Sequence, residues 1–288
     1  MRSPFAACTA ALAAAALTAG LLGAAPAGAE PAGDGAGPGP EVAARAAAPT
    51  TLGQTGGIPA VCTGTPAVPA ATLLATEGAN APSYVAPVDG VLTSFTHVAG
   101  TSAGQVRAIV FANTATEGRK RVVAKSALQT LKPSAVNTFA IWLPIKAGQR
   151  LGLGYTTAQT VCLNQGVAGD SASFASPFDP DTTSDFVPTG SFEAGYRPNI
   201  SAVLEPAPDT VLTKKPKKHT TRTRIKLKFT STIAGSTFEC SRDGHKFKPC
   251  RSPYQRRFGP GKHKMLVRAV SAVGVADATP AKVKFTIH

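Results

Sequence analysis

The chain has 288 residues, of which 43% are hydrophobic and only 16% charged, with a formal net charge of +14. That length accommodates about two domains of roughly 100–150 residues each, and the apolar fraction excludes a wholly disordered chain. The charge is unevenly placed: residues 209–288 hold 19 Lys/Arg against four acids, whereas residues 1–208 hold 11 against 12.

Residues 1–29 read as a secretory signal peptide. Arg2 supplies the positive start, Ala10–Ala25 is an almost unbroken apolar run, and Ala27-Gly28-Ala29 offers small residues for signal-peptidase cleavage. A membrane anchor fits less well, because the run falls short of the roughly 20 residues a span needs and is interrupted by Gly20, Gly23 and Pro26. Cys8 precedes the apolar core, where lipidation would not occur, and is expected to leave with the signal. No second run of spanning length and no covalent sorting signal follow. The expected location is therefore extracellular, either released or held at the cell surface by non-covalent contacts. Residues 30–59 are rich in Gly, Ala and Pro and read as a flexible leader, since they cannot bury enough surface to offset chain entropy.

Residues 60–205 form the first expected domain. Short runs rich in β-branched and aromatic residues occur at Thr93–His97, Val106–Phe111, Phe139–Ile145 and Arg150–Tyr155, separated by turn signals such as Asp89-Gly90, Glu117-Gly118 and Ala147-Gly148. No window sustains a helical period, so the expected fold is all-β, a jelly-roll-like antiparallel β-sandwich. Pro87, Pro133 and Pro144 are expected at strand starts, edges or bulges. Cys62 and Cys162 are the domain's two cysteines, and an oxidising compartment favours one bridge between them over a reactive thiol pair, for which no CxxC exists. Closing a loop of that length is worth on the order of 4–5 kcal/mol by the chain-entropy argument.

Candidate chemistry in this domain is thin. Trp142, the only tryptophan, is either a sugar-stacking platform with Tyr155 or a residue of the core or sheet face. Gly100-Thr-Ser102-Ala-Gly104 matches a nucleophile-elbow pattern, but that pattern needs a helix after the serine, and the next residues read as a strand. Asp179, Asp181 and Asp185, with Asp170 upstream, offer oxygens to a calcium ion, though the spacing fails the EF-hand pattern and a solvated Asp/Pro loop is the alternative.

Pro206-Ala-Pro208 marks the boundary with a second domain, residues 206–288. In it, Ile225, Leu227 and Phe229 alternate with Arg224, Lys226 and Lys228, and Val283, Phe285 and Ile287 alternate with Lys282, Lys284 and Thr286. Each is the signature of a half-buried strand. Asp243-Gly244 supplies a hairpin turn.

Two resemblances follow. Tyr84-Val-Ala-Pro-Val-Asp-Gly-Val-Leu-Thr-Ser-Phe95, Ile145-Lys-Ala-Gly-Gln-Arg-Leu-Gly-Leu153 and Asn199-Ile-Ser-Ala-Val-Leu-Glu-Pro206 resemble an uncharacterised secreted β-sandwich domain of high-GC Gram-positive bacteria. Pro208-Asp-Thr210, Phe238-Glu-Cys240, Arg242-Asp-Gly244, Phe247-Lys-Pro-Cys250, Ser252-Pro-Tyr254, Gly261-Lys-His263, Val267-Arg-Ala269 and Thr279-Pro-Ala281 resemble the bacterial Ig-like (fibronectin-like) repeat. The second implies a small Ig-like β-sandwich serving as a spacer or adhesion module. The sequence departs from that family where a D-x-x-G-N turn is usual, reading Ser271-Ala-Val-Gly274-Val275. Cys240 and Cys250 are expected to bridge, a staple that suits a small module of limited core; a zinc site would need more ligands, and although His245 and His263 are available, the C-x9-C spacing fits no common zinc knuckle.

Lys226, Lys228, Lys282 and Lys284 are the candidate polyanion-binding residues. Two readings stay open for them: attraction of anionic wall polymers or polysaccharides, or a face that keeps a β-module soluble and blunts its edges. No signature of sequence-specific nucleic-acid recognition is present. No catalytic constellation and no cofactor are expected. The functional expectation is a non-catalytic secreted or cell-surface protein, a sandwich head on a basic Ig-like module. The alternative is a carbohydrate-binding protein that uses an aromatic face of the first domain.

Overall fold

The computed structural model describes residues 48–54, 71–76, 83–156, 162–165, 171–175, 185–188, 190–191 and 195–288. The expected signal peptide, most of the leader, Cys62, Asp170, Asp179 and Asp181 lie outside the described residues.

Every regular element among the described residues is a strand. The first part of the chain supplies β1 (Thr50–Gln54), β2 (Ala71–Thr76), β3 (Gly90–Val98), β4 (Gln105–Asn113), β5 (Lys120–Lys125), β6 (Gln129–Thr130), β7 (Val136–Ile145), β8 (Arg150–Tyr155), β9 (Leu163–Gln165), β10 (Ser171–Ala175), β11 (Asp185–Phe186), β12 (Gly190–Ser191), β13 (Tyr196–Pro198) and β14 (Ile200–Pro206). They make a four-stranded sheet in the order β1-β14-β3-β7 and an eight-stranded sheet in the order β11-β5-β4-β8-β2-β10-β12 with β6 on β4, while β9 pairs with β13.

The two larger sheets share one core. Leu92 and Phe95 of β3 and Leu204 of β14 pack with Val106, Ala108 and Val110 of β4 and Leu151, Leu153 and Tyr155 of β8. β4 reads as a continuous apolar run because its other face is also covered. There Ile109 and Phe111 join Val122 in a second cluster, closed by Phe186 edge-on to Phe111 at 5.9 Å. Buried polar groups tie the strand ends together. His97 Nδ1 lies 2.5 Å from the Asn199 carbonyl, the Asn199 carboxamide accepts the Val98 N–H and donates to Asn164, and Tyr84 donates its hydroxyl to the Pro198 carbonyl at 2.6 Å.

The leader's expected extent is corrected at its C-terminal end. Thr50–Gln54 pairs with β14 along its whole length, from Thr50↔Leu204 to Gln54↔Ile200. Leu52 is buried in the core, and Gly53 adopts φ +69° where a Cβ would meet the Ile200 carbonyl at 2.2 Å. One leucine and one left-handed glycine anchor this strand, and a window dominated by Gly, Ala and Pro hides both.

The rest of the chain supplies β15 (Thr210–Lys214), β16 (His219–Thr220), β17 (Arg224–Ser231), β18 (Thr237–Arg242), β19 (Lys248–Cys250), β20 (Tyr254–Arg257), β21 (Gly261–Val270) and β22 (Ala281–Ile287). These form a three-stranded sheet, β15-β17-β20, and a five-stranded sheet, β16-β22-β21-β18-β19, in which β16 runs parallel to β22. The expected alternations hold: Ile225, Leu227 and Phe229 are buried and alternate with the exposed Arg224, Lys226 and Lys228, and Val283, Phe285 and Ile287 are buried and alternate with exposed Lys282 and Lys284 and half-buried Thr286. Both sets enter one core with Met265, Val267 and Phe258. The Cys240–Cys250 disulfide ties β18 to β19, and Asp243-Gly244 turns between them with positive φ at both residues.

Two strands of this basic sandwich are joined by a buried carboxylate. Asp277 accepts the Thr210 N–H and hydroxyl at 3.0 and 2.6 Å and the Thr279 N–H and hydroxyl at 2.7 and 3.1 Å. The Thr210 hydroxyl oxygen in turn accepts the Ala269 N–H at 2.7 Å, tying β15 to β21. Asp277→Ala strands buried donors and should lower the unfolding free energy by about 2–4 kcal/mol, read as a lower denaturant midpoint at unchanged slope. A loss below about 1 kcal/mol would mean that water replaces the carboxylate without penalty.

Candidate functional site

The basic sandwich has two cationic outer faces, and strand register assigns residues to each. Directly opposed residues of a ladder share a face. Lys214↔Lys228, Arg224↔Arg257 and Lys226↔Gln255 therefore lie on the three-stranded sheet, opposite the buried Ile225 and Leu227. Lys264↔Lys284 and Leu266↔Lys282 lie on the five-stranded sheet, opposite the buried Val283 and Phe285. The two inner faces meet in one core, with Phe229 edge-on to Phe238 at 4.9 Å. Lys226 and Lys228 thus point away from Lys282 and Lys284: the candidate quartet is two pairs on opposite sides of the sandwich.

On the side of the three-stranded sheet, the chain between β15 and β17 crosses to the other sheet and returns. The crossing runs through Lys-Lys-Pro216-Lys-Lys and β16, and it borders a cavity of about 810 Å³. Lys214, Lys215, Lys217, Arg222, Arg224 and Lys226 line it, together with His219 and His288, whose rings stack with centroids 5.4 Å apart. No carboxylate side chain lines it. The four acids of residues 209–288 are engaged elsewhere: Asp277 in its buried network, Asp209 on the Thr210 N–H at 2.9 Å, Glu239 on Arg268 at 2.7 Å, and Asp243 on His263. Sequence reasoning did not assign Lys214, Lys215, Lys217 and Arg222 to a site. The Lys-Lys-Pro-Lys-Lys run was the available signal, and it reads equally well as a solvated linker.

A second concavity, of about 690 Å³, lies on the side of the five-stranded sheet and includes Lys218, Lys262, Lys264 and Lys284, but also Asp243. His263 presents Nδ1 to the Asp243 carboxylate and Nε2 to the Gly259 carbonyl, each at 3.0 Å. Two acceptors call for two N–H donors, so the ring favours its charged form. The Asp243 hydrogen bond raises the His263 pKa against the opposing effect of burial. For Asp243, burial pushes upward, but the Lys264 N–H, His263 and Arg242 together hold the carboxyl below its usual range. This side therefore carries an internal counter-charge, which no described side chain lining the first groove supplies.

The aromatic candidates of the first sandwich are not brought together. Trp142 is 54% exposed on the outer face of β7, on the side of Thr138 and Ala140 and near Ser94 and Thr96 of the neighbouring β3. Tyr155 is fully buried in the core, and its hydroxyl finds no partner among the described residues. Burial pushes its pKa up to about 12. It cannot stack on a ligand from outside. Asp185, the described member of the calcium candidates, is bound by Arg121 at 2.5 Å, and no cluster of three metal-ligating side chains occurs among the described residues. Ser102 sits in the loop between β3 and β4, followed by a strand, so the elbow geometry is absent there. Cys162 is buried and disulfide-bonded, while Cys62, the partner that the sequence assigns to it, lies outside the described residues.

Two measurements test these environments. Tyr155→Phe removes an unpartnered buried hydroxyl and should leave stability unchanged or raise it by about 1 kcal/mol in thermal or denaturant unfolding, and a clear loss would reveal a partner. For His263, whose folded pKa is raised, the pairing contribution is complete below pH 6.5 and is lost as pH rises through the raised value. The stability difference between the native chain and His263→Gln should therefore be larger at about pH 5 than at about pH 9.

No protein-family model matches the chain, and no curated protein matches it in sequence. Among solved structures, it is similar to the extracellular domain of a one-component system of B. thetaiotaomicron, at 8% identity and TM-score 0.26, over 62% of this chain and 35% of that one. It is also similar to a beta-1,2-glucanase of Parabacteroides distasonis, at 12% identity and TM-score 0.21, over 71% of this chain and 29% of that one. The chain thus spans only about a third of each, and likeness at this level carries no inference about activity.

Proposed function

We propose that the protein is a non-catalytic extracellular protein, in which a β-sandwich head is joined to a basic module of the bacterial Ig-like type that associates with anionic polymers at the cell surface. One observation carries the reading: like charges stand directly opposite one another across three ladders, at Lys214↔Lys228, Arg224↔Arg257 and Lys264↔Lys284. Opposed like charges destabilise a sheet by up to about 1 kcal/mol per pair. A face needed only for solubility is served equally well by charges placed out of register or mixed in sign. An anionic partner removes the repulsion, and no carboxylate side chain lines the groove beside the three-stranded sheet to remove it instead. The Cys240–Cys250 bridge fits an oxidising, extracellular setting.

Binding of this kind is governed by counterion release and should be steep in salt. The full chain should be retained on immobilised anionic wall polymer at about 50 mM salt and released by about 500 mM, with no retention on neutral glucan or chitin. Absence of retention at the lower salt would overturn the reading.

The exposure of Trp142 beside hydroxyl-bearing residues favours a second reading, in which the head's four-stranded sheet stacks the apolar face of a sugar on a single indole. Salt-resistant retention on an insoluble polysaccharide, lost in Trp142→Ala while the unfolding midpoint moves by less than about 1 kcal/mol, would establish it.

A further inference from the structure

We propose that the groove at the sheet crossing, and not either flat face of the sandwich, is the polymer site, and that it takes a linear polyol or sugar chain that carries single negative charges along its length. This rests on the reading that the basic module binds anionic polymers, and it adds the place and the ligand chemistry. Three features support the placement. The groove is concave, it gathers six cationic side chains from one continuous stretch and its flanking strands, and no described carboxylate pairs with any of them. Two of the three opposed like-charge pairs, Lys214↔Lys228 and Arg224↔Arg257, include a residue of its lining, so a bound anion relieves repulsion there that no described carboxylate side chain relieves. The concavity on the other side holds Asp243, which would repel the same ligand.

The ligand chemistry follows from the lining. Four of the six cations are lysines, whose compact ammonium groups act as point charges and suit single negative charges repeated along a chain, phosphodiester or carboxylate alike. Phe, Tyr and Trp are absent from the lining, and its rings are His219 and His288, stacked on each other, a poor platform for a run of successive bases. Thr220, Thr221 and Gln255 instead offer hydroxyl and amide groups to a polyol or sugar backbone.

The test uses the full chain and lipid-free poly(glycerol phosphate), with oligo(dT) and polygalacturonate as comparison polymers. The triple variant Lys215→Gln, Lys217→Gln, Arg222→Gln changes exposed residues of the crossing only. The control triple Lys264→Gln, Lys282→Gln, Lys284→Gln removes the same charge from the opposite face. The groove variant should bind poly(glycerol phosphate) at least about tenfold more weakly, with the slope of log Kd against log salt reduced by about two, at an unchanged unfolding midpoint. The control should change Kd less than about twofold. Equal losses in both variants, or a loss confined to the control, would overturn the groove assignment while leaving anionic-polymer binding standing. Tighter binding of oligo(dT) than of both other polymers would overturn the ligand chemistry, and whichever of poly(glycerol phosphate) and polygalacturonate binds more tightly identifies the anionic group. Failure of the native chain to bind any of the three polymers at low salt would overturn the parent reading instead.

Discussion

The geometry of the basic module depends on the buried carboxylate of Asp277. Desolvating a carboxylate costs several kcal/mol unless its lone pairs are met, and here two threonines meet them with backbone and side-chain donors alike. The first of those threonines begins β15, whose ladder partner β17 belongs to the three-stranded sheet, yet the Asp277–Thr210–Ala269 chain of hydrogen bonds fixes it to the five-stranded sheet as well. The segment that follows starts from a pinned point. From there it crosses between sheets and places its lysines along a concave edge instead of trailing as a tail.

Magnitudes explain why a sandwich tolerates so much like charge. Three opposed cation pairs cost at most about 3 kcal/mol together, and screening at physiological salt shortens their reach to about 8 Å. Fully burying one Ile, Leu or Phe contributes about 1.5–3 kcal/mol. Two of the residues at Ile225, Leu227, Phe229, Val283, Phe285 and Ile287 therefore offset the repulsion, and the remainder leave the fold secure. The cationic faces are a bearable cost to folding, which frees them to be shaped by something other than stability.

Strands with strict alternation were legible from the sequence because burial on one face imposes a period of two. β17 and β22 are the clearest cases, and the Asp243-Gly244 turn was legible for the equally local reason that both positions need positive φ. What the sequence withheld was partnership between elements. Lys226 and Lys284 sit in near-identical local patterns, and only the assignment of β17 and β22 to different sheets separates them. Trp142 lies in an apolar run and is nevertheless exposed, because β7 ends its sheet and its outer face is uncovered, whereas Tyr155 sits in a central strand and is buried. β1 escaped notice because its pairing is a backbone matter, signalled by one leucine in a window of small residues.

The position of β7 has a consequence for how the protein behaves in crowded surroundings. An open strand end of a sheet is a template on which other chains extend, the usual route to aggregation. β7 carries Pro144, which has no N–H to offer an incoming strand, and its pairing with β3 is interrupted by a register shift between Leu92 and Ser94. An exposed indole and an exposed valine at Val136 are therefore displayed on a strand whose backbone is poorly suited to polymerisation. β7 can thus present an apolar surface while its own backbone disfavours edge-to-edge pairing.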